Sequence, residues 1–350
     1  MKRTRGVKIS SQITTKVEES SKLKRIQKYK GNDEFMLSTG STLLDLAISG
    51  GRVRGGGIPG GILVEVFGPS GSGKTVLLCE IAGALQRHGG EVMFKDPEAR
   101  LNKQFAKIFD FDVSHIDVAN PDTIPEVFKP VREWKPKDMK KVNGVFVDSL
   151  AALSTNLELG EKGDKIGMRR AKEFSEELRK TCRIITKNNL LVVMSNQVRD
   201  KIGAGEYEVK VTSPGGQGIG FYSSLRLRMV GAQKIVKKIT VNKKEVKRVI
   251  GITTYIEVFK SSIWEPFRQA PVTILFNYGI DDIRQNLQFV KDYTKETIYS
   301  VRESLLDKSM DKSIVMIEEA NMEKKLRRQV IEIWEDIETK FTVERKSKRR

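Results

Sequence analysis

The octapeptide Gly68-Pro69-Ser70-Gly71-Ser72-Gly73-Lys74-Thr75 constrains this chain more than any other stretch. It satisfies the pattern G-x-x-x-x-G-K-[ST] at every fixed position, and its flanks have the character the pattern needs. Before it, Ile62-Leu63-Val64-Glu65-Val66-Phe67 reads as a buried strand. After it, Val76, Leu77, Ile81, Ala84 and Leu85 recur at helical spacing between Lys74 and Gln86. A strand, a glycine-rich turn and a helix in that order turn backbone amides and a helix N-terminus toward an anion. Lys74 is then placed to reach the β and γ phosphates of a nucleoside triphosphate, and the Thr75 hydroxyl to bind Mg²⁺.

The rest of the first two thirds alternates. Glu91–Lys95, His115–Ala119, Gly144–Val147 and Leu190–Met194 read as strands, separated by helices over Asn102–Phe109, Ile124–Trp134 and Arg169–Lys187. Such alternation predicts an α/β fold with a mostly parallel sheet covered on both faces. Ser223–Val230, Lys234–Thr240, Val249–Phe259 and Val272–Phe276 follow without helices between them, and are expected to extend the sheet as antiparallel hairpins. Residues 281–343 read as a small helical C-terminal domain.

Charge points to the partner. Lys plus Arg number 63 against 45 Asp plus Glu, a net charge of +18. That excess suits a polyanion, nucleic acid before membrane. It gathers in residues 1–31, with ten basic side chains against two acidic, and in the tail Arg345-Lys346-Ser347-Lys348-Arg349-Arg350. Solubility charge on disordered ends is the alternative reading of each tail. No run is long enough to span a membrane and no secretory signal is visible. Cys79 and Cys182 both fall in helix-patterned segments, which suggests a reducing compartment and no disulfide. Two histidines, His88 and His115, and no close cysteine pair argue against a zinc site.

Phosphoryl transfer to water needs the phosphates held, Mg²⁺ positioned and a water oriented. Val145-Phe146-Val147-Asp148 is a strand ending in an acid, suited to hold Mg²⁺ through water. Asp96-Pro97-Glu98 follows a strand whose end faces the same crevice as the phosphate loop, which makes Glu98 the candidate base. An ordinary acid at a helix start is its other reading. Ser195-Asn196-Gln197 ends the strand at Leu190–Met194, where a neutral amide would sense the γ phosphate.

Taken together, these segments resemble the RecA family of DNA recombinases, from about Met36 to Gly279. Ser38-Thr39-Gly40-Ser41 with Leu44-Asp45-Leu46-Ala47 is similar to the family's opening STGS and LD segment. Gly57-Ile58-Pro59-Gly60-Gly61 leads into the phosphate loop as in the family, and Asp96-Pro97-Glu98 resembles its D-x-E segment. Pro121-Asp122-Thr123, Val147-Asp148-Ser149-Leu150, Asn196-Gln197-Val198-Arg199-Asp200-Lys201-Ile202-Gly203, Gly215-Gly216 and Phe221-Tyr222-Ser223-Ser224-Leu225-Arg226-Leu227 continue the series in order.

The resemblance implies a RecA-like P-loop ATPase core over residues 36–280, a basic polymerisation arm over 1–35, duplex capture by 281–343 and a basic tail over 344–350. It implies ATP and Mg²⁺ as cofactors. Its implied partners are single-stranded DNA, homologous double-stranded DNA, further copies of the chain in a helical filament, and mediator or single-strand-binding proteins. A cytoplasmic location, in a bacterial cell or phage-infected host, is implied with them. Glu98 is the implied base, Gln197 the γ-phosphate reporter and Phe105 the aromatic on the adenine, core packing being the other reading of Phe105. Lys260 would reach the neighbouring subunit's ATP, and Phe221 would lie at the subunit interface. Loops 155–167 and 199–220 would grip single-stranded DNA. Arg199, Lys201, Lys172, Ser175 and Arg179 would contact phosphates, while Gly215 and Gly216 would supply backbone N–H groups. Arg169, with Arg170, would join that surface or stay solvated at the helix start. The chain departs from the family where Ser262 replaces a second trans-acting lysine, where Pro214 precedes the double glycine, and in its basic rather than acidic tail. These departures suggest a divergent, phage-like member with weaker autoinhibition. A ring-forming helicase or translocase motor, and an ATP-regulated accessory protein, are the other readings of the same fold.

Overall fold

A computed structural model describes residues 35–114, 117–155, 166–200, 211–212, 216–294 and 296–341. The expected arm over 1–35 lies outside the described residues except for Phe35, as does the tail over 344–350. In chain order the first elements are β1 (Met36–Leu37), α1 (Thr42–Ser49), β2 (Ile58–Pro59), β3 (Ile62–Gly68), α2 (Lys74–Arg87) and β4 (Val92–Lys95). Then come α3 (Lys103–Ile108), β5 (Asp117–Ala119), α4 (Ile124–Glu133), β6 (Asn143–Val147), α5 (Ile166–Lys187) and β7 (Leu190–Gln197). After β8 (Arg199–Asp200), β9 (Val211–Thr212) and α6 (Gly216–Tyr222) the chain turns to strand: β10 (Leu225–Val241), β11 (Lys244–Ser261), β12 (Gln269–Leu275) and β13 (Gly279–Ile280). It closes with α7 (Asp282–Thr294), the short pair β14 (Ser300–Val301) and β15 (Ser304–Leu305), α8 (Met310–Glu319) and α9 (Glu323–Lys340).

Nine strands form one sheet in the order β13-β12-β11-β10-β3-β7-β6-β4-β5. From β10 to β5 every pairing is parallel, and β11, β12 and β13 add an antiparallel extension. This is the mostly parallel sheet with an antiparallel extension that the alternation of elements predicts. The central strands are mostly apolar because each face has its own core. Val64 and Val66 of β3, Phe146 of β6, and Leu191 and Val193 of β7 join one cluster with Leu77, Ile81 and Phe94. Leu63, Val145, Val147, Leu190, Val192 and Met194 face the other way, onto Ile124, Phe128, Phe174 and Leu178. Side chains alternate across a strand, so a continuous apolar run is the signature of a sheet buried on both faces. Phe146 is fully buried. Its truncation to alanine removes about 3–5 kcal/mol.

One expectation is corrected. Residues 225–261, read as the three strands Ser223–Val230, Lys234–Thr240 and Val249–Phe259, form one hairpin whose two strands are 17 and 18 residues long. The gap between the first two is an irregularity in register between Val230 and Gln233, with Gly231 at φ 64°, so the ladder bends and continues. The turn is instead the pair Asn242 and Lys243, at φ 50° and 64°, the left-handed geometry of a two-residue hairpin loop. Strand β7 also runs on through Ser195, Asn196 and Gln197, which pair with Val66, Phe67 and Gly68 of β3. Gln197, read at the end of this strand, is thus held by the ladder beside the phosphate loop.

Every residue of α1 is buried. Its N-terminus is closed by one distant carboxylate, Asp282, and by Asp45 of the helix itself. Asp282 accepts from the Thr42 backbone N at 2.6 Å and from Thr42 Oγ1 at 2.7 Å, across 240 residues of chain. Asp45 accepts from Ser38 Oγ at 2.6 Å, and from Thr39 N and Oγ1 at 2.8 Å each. Arg327 of α9 approaches it at 3.5 Å. Burial pushes the Asp45 carboxyl up to about 6, against the pull of those hydrogen bonds. Leu287 and Val290 of α7, Ile317 of α8, and Leu326 and Val330 of α9 bury their side chains in the same cluster as α1. Among the described residues no helix is long and apolar enough to cross a membrane.

Candidate nucleotide and DNA site

Strand β3 delivers the chain into the loop, and Gly73 starts α2 from a left-handed conformation, φ 97°. A Cβ at Gly73 would lie 2.4 Å from Ile274 Cδ1, so glycine is needed there for space as well as for backbone angle. Ser72 Oγ donates to Pro69 O at 2.8 Å and tightens the turn. Lys74 is nine-tenths buried and donates from Nζ to Gly68 O and Pro69 O, at 3.0 and 2.7 Å. Burial holds its ammonium below the usual lysine range, partly offset by Asp148 and Glu98. A buried cation curled over the loop's own carbonyls suits exchange of those weak partners for phosphate oxygens.

Thr75, one residue on, donates from Oγ1 to Asp148 Oδ2 at 2.5 Å. Asp148 leaves the end of β6, its backbone N bonded to Lys95 O at 2.9 Å, and Ser195 Oγ donates to its other oxygen. The described residues hold no cluster of three metal-binding His, Cys, Asp or Glu side chains. One hydroxyl and one carboxylate beside a phosphate loop still fit Mg²⁺, which takes one or two protein oxygens and completes its shell with phosphate and water.

Glu98 stands beside this pair. It accepts from Ser149 Oγ at 3.0 Å, lies 3.5 Å from Gln197 Nε2, and is ion-paired to Arg100 Nη1 at 2.6 Å. The loop that carries it is pinned by Asp96, which is buried and accepts from Leu101 N at 2.7 Å. Burial raises the Asp96 carboxyl above its ordinary range. Asn102 then caps α3 through Phe105 N at 2.7 Å. Phe105 itself is half-buried, with its ring edge-on to Phe109 at 5.0 Å. Arg100 and Ser149 were not singled out from the sequence; a basic residue two positions after the candidate base was the available signal for Arg100.

On the other side of the loop a buried ion pair was also missed. Glu65, fully buried in β3, accepts from Arg226 Nε at 2.6 Å and from Asn196 Nδ2 at 3.0 Å. The Arg226 guanidinium lies over the rings of Phe67 and Phe259, at 4.6 and 5.2 Å. A lone acid inside the apolar run 62–67 was its signal. Lys260 donates from Nζ to Gly220 O and Phe221 O, at 2.8 and 3.0 Å. Burial and then the nearby Arg226 charge lower its ammonium. The ring of Phe221 is exposed. Ser262 donates its backbone N to Ser224 O at 2.8 Å.

The residues expected on DNA are spread along α5 and around the loops. Arg169, Lys172 and Arg179 are exposed, and Ser175 is half-buried with its hydroxyl donated to Ala171 O at 2.8 Å. Ser175 faces α6 closely: a Cβ on Gly218 would come within 2.2 Å of its Oγ. Arg170 is engaged otherwise, donating from Nη2 to Leu150 O and Ala151 O at 2.8 Å each. Gly216 begins α6. Lys201, Gly215, most of the loop 155–167 and the side chain of Arg199 lie outside the described residues.

A parallel sheet with a phosphate loop after a central strand, and an acid at the end of the second strand over, defines a P-loop protein of the NTPase class. The RecA N-terminal domain family matches residues 8–281. RecA of Thermus aquaticus is 35% identical over 249 residues, 71% of this chain and 69% of that protein. RecA of Staphylococcus aureus strain Newman is 34% identical over 252 residues, 69% of this chain and 66% of that protein. A solved RadB recombinase aligns with 23% identity and a TM-score of 0.48, over 70% of this chain and 98% of that one. The chain belongs to the RecA family.

Proposed function

We propose that this protein is an ATP-dependent DNA recombinase. It polymerises on single-stranded DNA, pairs it with homologous duplex and exchanges strands, with DNA-stimulated ATP hydrolysis at subunit interfaces. One observation carries the reading. Gln197 lies 3.5 Å from the candidate base Glu98, and two residues later the chain enters the segment that resembles the family's DNA loop. A change at the γ phosphate is thereby transmitted along a single strand end to the DNA-facing loop.

In this reading the loop 68–75 and Lys74 bind the triphosphate, and Phe105 lies against the base. Thr75 and Asp148 would hold Mg²⁺, which neutralises charge developing on the phosphates. Glu98 takes the proton of the attacking water, and Ser149, Gln197 and Arg100 fix its carboxylate. Lys260 and Phe221 act across the interface to a neighbouring subunit, where Ser262 leaves one cation fewer than the family pattern. Lys172, Ser175, Arg179, Arg199, Lys201, Gly215 and Gly216 grip the strand through its phosphates, with Arg169 beside them. The organisation proposed with this is an arm over 1–35, a core over 36–280, a helical segment over 281–343 and a basic tail.

The test is ATP hydrolysis with and without single-stranded DNA, beside strand exchange with homologous duplex. Stimulated hydrolysis with exchange, both abolished by Lys74→Ala, is expected. Stimulated hydrolysis without exchange would replace the recombinase with a motor.

A further inference from the structure

The hairpin β10–β11 outruns the sheet that roots it. Strand β10 pairs with β3 only over Leu225–Arg228, and β11 with β12 only over Gly251–Glu257. Residues 231–250 therefore project as a two-stranded ribbon, about 30 Å long at ~3.3 Å per residue. Because β10 runs parallel to β3, the ribbon leaves the sheet at the edge where β3 enters the phosphate loop. It carries Lys234, Lys237, Lys238, Lys243, Lys244, Lys247 and Arg248, and Glu245 is its only acid. All seven basic side chains are exposed.

Their register matters more than their number. Lys238 is paired with Lys247, and Lys237 with Arg248. Residues directly opposite share a face and neighbours alternate, so each face of the ribbon presents one cross-strand pair of cations. Like charges directly opposite destabilise a ladder, and an isolated hairpin is marginal in water. Salt relieves such an arrangement in part, and an anion with closely spaced charges relieves it best. A phosphodiester backbone supplies them, and a two-stranded ribbon of this width enters a DNA major groove over about one helical turn.

The helical segment expected to capture duplex is charged the other way. Residues 281–343 hold eleven basic and fourteen acidic side chains. We propose that the ribbon 231–250, and not the helical segment, is the surface that captures duplex DNA. This rests on the reading of the chain as a recombinase, since it assigns that reading's second DNA partner to a place.

The test uses the full chain with Lys237→Thr, Lys238→Thr, Lys247→Thr and Arg248→Thr combined, threonine being compatible with a strand. Binding of a labelled duplex and a labelled single strand, each roughly 40 nucleotides long, is followed by anisotropy over about 0.05–0.3 M salt. With one face engaged, two phosphate contacts are lost. The slope of log K against log salt becomes shallower by about 2, and duplex affinity falls about 30-fold at 0.15 M salt. Single-strand affinity and stimulated hydrolysis stay at the parent level, as does the melting temperature. Duplex affinity and slope equal to the parent's would overturn the proposal, as would an equal loss on single strand and duplex. If the fourfold variant does not melt cooperatively, the doubles Lys238→Thr/Lys247→Thr and Lys237→Thr/Arg248→Thr carry the same comparison, one face each. A parent chain whose hydrolysis ignores single-stranded DNA would remove the recombinase reading, while the anisotropy comparison still judges the ribbon.

Discussion

The Glu65–Arg226 pair allows a prediction in which two substitutions cost less than one. Glu65 has no exposure, and Arg226 is mostly covered between Phe67 and Phe259. Removing one partner of such a pair leaves a desolvated charge, at about 3–5 kcal/mol. Glu65→Met strands the guanidinium and Arg226→Met strands the carboxylate, so each single variant should lose that amount. Replacing both leaves no orphaned charge, and two methionines fill the space between the rings with apolar contacts. What remains is the Asn196 Nδ2 donor that Glu65 accepted at 3.0 Å, a loss of about 1–2 kcal/mol. The double variant should therefore unfold in urea at a higher concentration than either single, followed by tryptophan fluorescence. A double variant as unstable as the two singles added together would refute the reasoning.

Arg100→Ala should leave stability within about 0.5 kcal/mol, because that side chain is largely in water. It should lower kcat of DNA-stimulated hydrolysis about tenfold with KM little changed, since Glu98 loses one of its restraints; a change confined to KM would argue against it. Asp45 titrates near 6 in the folded chain and near 3.8 when exposed, so its contribution is present at low pH and disappears as pH rises between those values. Relative to Asp45→Asn, the parent should lose about 3 kcal/mol between pH 4 and 7, and a pH-independent difference in urea midpoints would count against it. Lys243→Gly relieves a left-handed residue at the ribbon's turn. It should slow amide exchange in residues 234–250 about fivefold, for about 1 kcal/mol gained.

Much of this architecture was legible because the signals were local. The apolar runs 62–67, 144–147 and 190–194 reach the core from both faces, and each ends at a site residue, so fold and chemistry were read from the same segments. The ribbon was legible only in part. Lys234–Thr240 reads as a strand, but Lys244, Lys247 and Arg248 break the apolar alternation of the returning strand, so its start at Lys244 was missed. Glu65 and Arg226 are 161 residues apart, and nothing in either segment names the other. Arg100 had a signal, two positions after the candidate base, but a solvated arginine near a helix start resembles ordinary surface charge.

The clasp of Thr42 by Asp282 has a consequence for synthesis. A ribosome adding about 5–20 residues per second needs roughly 12–48 s to travel from one to the other. For that interval the apolar helix 42–49 has neither its carboxylate cap nor the helices that bury it. The nascent chain must carry an adhesive segment until Asp282 and the helices after it have been made. Holdase chaperones, rather than early docking, are the natural guardians of that helix.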